Sequence, residues 1–247
     1  MVAKAKGEYE KAEMICSNAL TLAQEIGDQF RQIHAITNLA EIKLSRGDCA
    51  EAYDAAMRSV RMSKEVDHCF GLARSLNVLA EVAFAEQNLM AAKQFAEESI
   101  AISQKRNQRV CLAAALGTLG KVAWVHKSYE ESREHLHKAF GIALTTDAVP
   151  RALEVLLTIV RMRMTSDDAG DGIEFLRAIF RHPKTCYDVK VQARQLLGKH
   201  TGQETLHSDG FKEISDLQSA DAMLKELSTT ILTNVQLIES SPFSGRT

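Results

Sequence analysis

GEYEKA at residues 7–12 and GDCAEA at residues 47–52 lie forty positions apart and carry the same punctuation: a glycine, an acidic residue, then an alanine five places after the glycine. Gln87-Asn88-Leu89-Met90-Ala91-Ala92 and Lys127-Ser128-Tyr129-Glu130-Glu131-Ser132 continue the same ruler. The last residue of each block is small (Ala12, Ala52, Ala92, Ser132). Seven residues on, Ala19, Ser59, Ser99 and Ala139 are small again, and the next position is always apolar: Leu20, Val60, Ile100, Phe140. Ahead of each turn, Ile36, Leu76, Leu116 and Leu156 form one column, and Leu39, Leu79, Leu119 and Ile159 another. Ala40, Ala80 and Gly120 form a small column that Val160 breaks.

A fixed period of about 20–50 residues signals a solenoid. Apolar residues at i, i+3 and i+4 describe one face of a helix. Each unit therefore reads as helix A (30–46, 70–86, 110–126, 150–165), a tight turn, and helix B (48–66, 88–106, 128–146). Two antiparallel helices approach closely only where side chains are short; a leucine at Ala52 would overpack, at a cost of ~1–3 kcal/mol. The fifth unit decays: Asp167-Asp168-Ala169-Gly170-Asp171-Gly172 holds the place of the turn. Gly172, Leu176 and Phe180 keep the pattern until His182-Pro183 stops the helix early. Such a degenerate last unit is expected of a capping repeat.

The turn Gly-Asp/Glu-x-x-x-Ala, preceded by Leu39-Ala40 or Leu79-Ala80, resembles the tetratricopeptide repeat. That resemblance implies an all-α solenoid of antiparallel helix pairs in a right-handed superhelix. The usual unit has 34 residues, so six are extra here, expected in a longer helix B and its link, as at Glu25-Ile26-Gly27-Asp28-Gln29. Forty-residue variants occur in sensor arms of bacterial ATP-dependent transcription regulators of the LuxR or MalT type, in peptide-pheromone receptors and in signalling ATPases fused to cyclases. Phe180-Arg181-His182-Pro183-Lys184-Thr185 followed by Ala193-Arg194-Gln195-Leu196-Leu197-Gly198 is similar to the segment that closes such arms.

The expected organisation is a repeat array over 1–182, with its first repeat truncated and its last degenerate, then a capping helix over 183–200. A linker and short helical tail (201–239, with the helix at Ser219–Leu227) and a disordered end (240–247) follow. Gly198 to Asp209 reads as loop. On the ruler, Met1–Lys6 match only the last part of a helix A, so the first helix B should expose apolar residues such as Ile15 and Leu20. Either a longer chain, a partner or a second copy is expected to cover that edge.

Thirty basic against thirty-two acidic residues give a formal charge of −2, unlike the basic excess of a general nucleic-acid binder. No apolar run nears the ~18 residues of a membrane span, and no secretory leader pattern opens the chain. Five scattered cysteines without a C-x-x-C pair suit reduced thiols in a cytoplasmic protein. Gly198-Lys199-His200-Thr201 fails as a phosphate loop, because Ala193 and His200 stand where Gly and Ser or Thr are required. His135 and His137 point to different faces of a helix, and Glu131 with His135 lacks a third ligand. Cys69 and Cys111 read as interface residues. Neither a metal, a cofactor nor an enzymatic activity is expected.

By resemblance the inner groove is lined by helix A. Its places fall at His34, Thr37, Glu41 and Leu44; Arg74, Asn77, Glu81 and Phe84; Ala114, Gly117, Lys121 and Trp124; and Glu154, Leu157, Arg161 and Met164. Glu41, Glu81, Lys121 and Arg161 then form one column with an acidic and a basic half. A polar stripe beside an apolar one suits an extended peptide or a partner helix. Phe84 and Trp124 either line the groove or fill the A–B interface. Arg74 and Asn77 have no evident packing reason for being polar, so replacing both by alanine should weaken partner binding without lowering thermal stability. The expected function is a non-catalytic protein- or peptide-binding scaffold, the C-terminal sensor or interaction arm of a larger bacterial signalling ATPase or regulator. A peptide-sensing module with a small ligand in the groove is the alternative.

Overall fold

The computed structural model describes residues 2–164, 170–201 and the single positions 222 and 224. Among the described residues every element is a helix: α1 Val2–Ala5, α2 Tyr9–Glu25, α3 Gln29–Arg46, α4 Cys49–Glu65, α5 Cys69–Ala85, α6 Leu89–Lys105, α7 Arg109–Val125, α8 Tyr129–Thr145, α9 Val149–Arg163, α10 Gly170–Arg181 and α11 Tyr187–Thr201. The chain is an all-α solenoid. None of the described helices is long and apolar enough to cross a membrane.

The backbone keeps a finer beat than the side chains. A residue with left-handed φ closes every helix from α1 to α8: Gly7, Gly27, Gly47, Asp67, Gln87, Asn107, Lys127 and Asp147. These positions are spaced by twenty. The amide after each reaches back to a carbonyl in the last turn, as in Asp48 N to Lys43 O (2.9 Å), Asn88 N to Ala83 O (2.8 Å) and Ser128 N to Ala123 O (3.0 Å). This closure satisfies carbonyls that a helix end otherwise leaves bare, and it swings the chain directly into the next N-terminus. There Asp28 accepts from Arg31 N and Asn88 from Ala91 N. Helices α4 and α5 both have 17 residues. The expected long helix B with a long link is therefore replaced by equal helices and equal links. The forty-residue period belongs to burial and the twenty-residue period to backbone.

Each helix packs on its sequence neighbours, and α3, α5, α7 and α9 also pack on one another two along. That contact makes the A helices the tighter layer. It shows in composition: α6 buries one stripe (Ala92, Ala96, Ser99, Ser103), whereas α5 and α7 are buried on several sides. The columns fill as their sizes require. Ala12, Ala52, Ala92 and Ser132 are at most 3% exposed, and Ile36, Leu76, Leu116 and Leu156 at most 4%. A β-carbon on Gly120 would lie 2.5 Å from Leu136 Cγ, so this column is small because no space remains. Ser59 and Ser99 send hydroxyls to Ile33 O and Ala73 O of the preceding A helix. Ala19, their counterpart, is exposed, because α1 is too short to reach it.

The largest cluster lies at the C-terminal end, where Leu136, Phe140, Leu153, Leu156, Leu176, Ile179 and Leu197 pack together and Leu224 joins them. Helix α10 stops before Pro183, while α11 runs through Gly198 to Thr201, where loop was expected. A helix interior tolerates one glycine at a cost of ~1 kcal/mol, which the burial of Leu197 and Ala193 offsets. Ala222 and Leu224 are helical; the rest of the expected linker, tail and end lies outside the described residues. Helix α11 also touches α1. Tyr9 donates a hydrogen bond to Asp188, and the Tyr9 and Tyr187 rings meet edge-on at 6.3 Å.

Candidate functional site: a charged groove on the A helices

Two sets of ion pairs run across the A helices. In the first, Arg74 of α5 donates to Glu41 of α3 (Nε 2.9 Å) and to Asn38 Oδ1 (Nη2 2.6 Å), with Lys4 of α1 3.7 Å from Glu41. In the second, Lys121 of α7 donates to both carboxylate oxygens of Glu81 of α5 (2.9 and 2.8 Å) and lies 3.8 Å from Glu154 of α9. Thr118 donates to Glu81 at 2.6 Å, and Arg151 to Glu154 at 2.6 Å. Each pair joins an A helix to another A helix or holds a member of such a pair.

The electrostatics follow from that geometry. Burial alone would raise the Glu81 pKa, but the Lys121 charge and hydrogen bonds from Lys121 and Thr118 outweigh it and hold the carboxyl below its ordinary range. Burial opposes the Lys121 charge too, yet Glu81 and Glu154 keep its pKa above the usual lysine value. Glu154 and, further off, Glu81 and Glu41 raise Arg151 against its own burial. All three groups stay charged near neutrality. Burial instead pushes the thiol of Cys111, whose carbonyl faces Asn77, up to about 11, leaving it protonated. Glu81, Ala114, Gly117, Lys121, Arg151, Glu154, Val155 and Thr158 line a small solvent-open pocket of about 200 Å³.

The structure thus gathers Glu81, Lys121 and Glu154 at one pocket and sets Glu41 with Arg74 beside it. The remaining candidates fall elsewhere. Thr37 has no exposed surface: it donates to Ile33 O (2.8 Å) and shares hydrogen bonds with Ser59 (2.8 Å) and Ser75 (3.0 Å) between α3, α4 and α5. Asn77, 8% exposed, donates to Cys111 O at 3.0 Å. Arg74 and Asn77 therefore have a packing reason for their polarity, because they tie α5 to α3 and α7. His34 joins His68 and Phe70 in an aromatic group, its ring 5.2 Å from that of His68 and 5.8 Å from that of Phe70. Burial, then His68 and Arg74, lower its pKa. Trp124 packs on Tyr129 across the α7–α8 link (4.7 Å). Phe84 packs beside Ala83, Ala92 and Val122, while Lys121 sits 5.9 Å over its ring. Arg161 donates to Gln192 of α11 at 2.6 Å, away from the pocket's charges.

Sequence reading missed Arg151, Asn38 and Thr118. The column Asn38, Val78, Thr118, Thr158 carried a signal, being polar in three of four units. Arg151 carried none, for its column reads Arg31, Gly71, Cys111, Arg151. Among the described residues, no three His, Cys, Asp or Glu side chains are arranged to hold a metal ion.

Neither a protein-family model nor a curated protein matches the chain. Among solved structures it is similar to BtubC (BKLC) from P. vanneervenii, with 17% identity and a TM-score of 0.58 over 97% of this chain and 96% of that one. At that identity the likeness concerns the fold: a helical-repeat chain matched along nearly its whole length.

Proposed function

We propose that the chain is a non-catalytic, cytoplasmic scaffold of tetratricopeptide type, whose A-helix groove binds a protein or peptide segment. It would serve as the sensor or interaction arm of a larger bacterial signalling ATPase or transcription regulator. The observation that carries this reading is the row of ion pairs on α3, α5, α7 and α9, with Glu41, Arg74, Glu81 and Lys121 each about a fifth to a quarter exposed. When a ligand's ammonium or carboxylate displaces one member of such a part-exposed pair, the displaced side chain turns to solvent, so these pairs favour register over raw affinity. A small-ligand receptor is less well supported, since the charged side chains that line the pocket already pair with one another, Lys121 with Glu81 and Glu154, and Arg151 with Glu154.

The test is photocross-linking in the cells that produce the chain natively. A photoreactive residue at Asn38 or Thr158, on the A helices, should capture a discrete partner, and one at Tyr53, exposed on α4, should not. Capture from Tyr53 with none from the A-helix positions would refute the groove assignment.

A further inference from the structure

A row of bare apolar side chains runs along the N-terminal rim of the A helices. Phe30, Phe70, Val110 and Pro150 stand second in α3, α5, α7 and α9. Phe30, Phe70 and Val110 are 51%, 40% and 47% exposed, and Pro150 is exposed as well. Each lies four residues before His34, Arg74, Ala114 or Glu154, one turn away on the same helix face, so the row borders the charged groove. Its first two steps are joined, for the His68 ring lies 4.9 Å from that of Phe30 and 6.4 Å from that of Phe70. Burial lowers the pKa values of His34 and His68, which leaves this aromatic group uncharged at neutral pH. Cations flank the row. The first turns of the four helices hold Arg31, Arg109 and Arg151 and no acidic residue. At the third step Lys105 and Arg106 end α6 just ahead of Arg109. Asp67, 3.7 Å from Arg106, balances one of these three charges. Arg109 donates to a hydroxyl, Thr145 Oγ1, at 2.8 Å, and among the described residues neither it nor Lys105 forms an ion pair.

We propose that this rim receives an acidic amphipathic helix of a partner protein, laid across the first turns of α3, α5, α7 and α9. Single exposed apolar residues are ordinary on a surface, but four at one register in successive units make a strip. Helices in contact lie ~8–10 Å apart, close to the ~10.5 Å that seven residues of an α-helix span. One apolar side chain in every seven of the partner therefore meets one step of the row after another, and others at three- or four-residue spacing drop between the steps. The positive surplus at the third step sets the sign of the partner. An aspartate or glutamate beside its apolar seam meets Lys105 and Arg109, whereas a basic helix meets like charge there. This assignment rests on the groove reading in taking the A-helix face as the binding face; it adds the chemistry of the segment and the row on which that segment lies.

A displayed library of random peptides about three heptads long, panned against the full chain, tests this. The enriched peptides should carry apolar residues at heptad spacing and a net negative charge. Measured by fluorescence anisotropy, Val110→Asp should weaken their binding about tenfold or more, and so should Lys105→Glu combined with Arg109→Glu, while circular dichroism and Tm stay as in the wild type. Exchanging the peptide's acidic residues for lysine should restore binding to the Lys105→Glu, Arg109→Glu variant. Thr158→Tyr, which fills the pocket between Glu81 and Arg151, should leave the affinity unchanged. No enrichment, enrichment of basic peptides, or peptides that bind the rim variants as tightly as the wild type overturn the proposal. Peptides lost on Thr158→Tyr alone lie among the ion pairs, so the groove reading stands and the rim assignment falls. Peptides indifferent to all of these variants sink both.

Discussion

Replacing Arg74 and Asn77 together by alanine separates a binding groove from a structural tie. Arg74 and Glu41 are 22% and 21% exposed, between the surface limit, where a pair is worth ~0–1 kcal/mol, and the buried limit, where removing one partner costs ~3–5 kcal/mol. Arg74→Ala leaves Glu41 with only Lys4 at 3.7 Å and Asn38 without its guanidinium, for a cost of about 1–2 kcal/mol. Asn77→Ala removes the bond to Cys111 O, but it also removes a buried amide oxygen that has no partner, so the loss is about 0.5–1 kcal/mol. The two side chains share no partner and their effects should add, to roughly 1.5–3 kcal/mol. For a chain of this size each kcal/mol is worth about 2–4 °C, so Tm should fall by roughly 3–12 °C. Thermal unfolding followed by circular dichroism reads this directly. An unchanged Tm would mean that the bonds across α3, α5 and α7 contribute nothing, and would return both residues to the role expected from sequence. Partner binding by this variant is informative only below its own unfolding transition.

Three further outcomes follow from the packing. Gly120→Ala places a β-carbon 2.5 Å from Leu136 Cγ and 3.3 Å from Ser132 O, and should destabilise by ~1–3 kcal/mol in urea unfolding, whereas Gly141→Ala, with open space around it, should not overpack at all. Burial lowers the pKa values of His34, His68 and His137, with neighbouring charge adding to the effect at His34 and His137. The unfolded chain then binds more protons than the folded one, so stability is complete above the ordinary histidine value of about 6.5 and declines as pH falls below it; His137→Gln should flatten the fall in Tm between about pH 7.5 and about pH 5.5. Tyr9→Phe deletes the hydroxyl that donates to Asp188, a bond to a charged acceptor worth ~1.5–3 kcal/mol before solvent screening. Amide exchange should accelerate in α11 and leave α4 to α6 unchanged; equal acceleration everywhere would mean that the α2–α11 contact holds nothing locally.

What could be read before the structure depended on whether a constraint recurs in chemical identity. Burial does: wherever two helices cross closely the residue must be small, so Ala12, Ala52, Ala92 and Ser132 announce the array in any alignment of the chain with itself. Backbone constraint does not. Gly47 and Lys127 share a left-handed φ (88° and 62°), yet nothing in a lysine signals it. The carbonyls of the closing turn and the packing on either side impose the conformation on whichever residue stands there. This is why the twenty-residue beat stayed hidden beneath the forty-residue one. Polar residues fall between these cases. Their columns located Glu41, Glu81 and Lys121 on the A helices, but their partners lie 33 to 40 positions away on a neighbouring A helix. Which charges meet is decided by the stacking of whole units, and the column Glu41, Glu81, Lys121, Arg161, read as two halves of opposite sign, closes on itself at its middle as the Glu81–Lys121 pair. The same stacking encloses Thr37 among hydroxyls and draws Tyr9 to Asp188 across 179 positions. A groove residue in a solenoid is therefore recognisable from its own helix only as polar; whether it is spent on the fold or left for a ligand depends on the unit beside it.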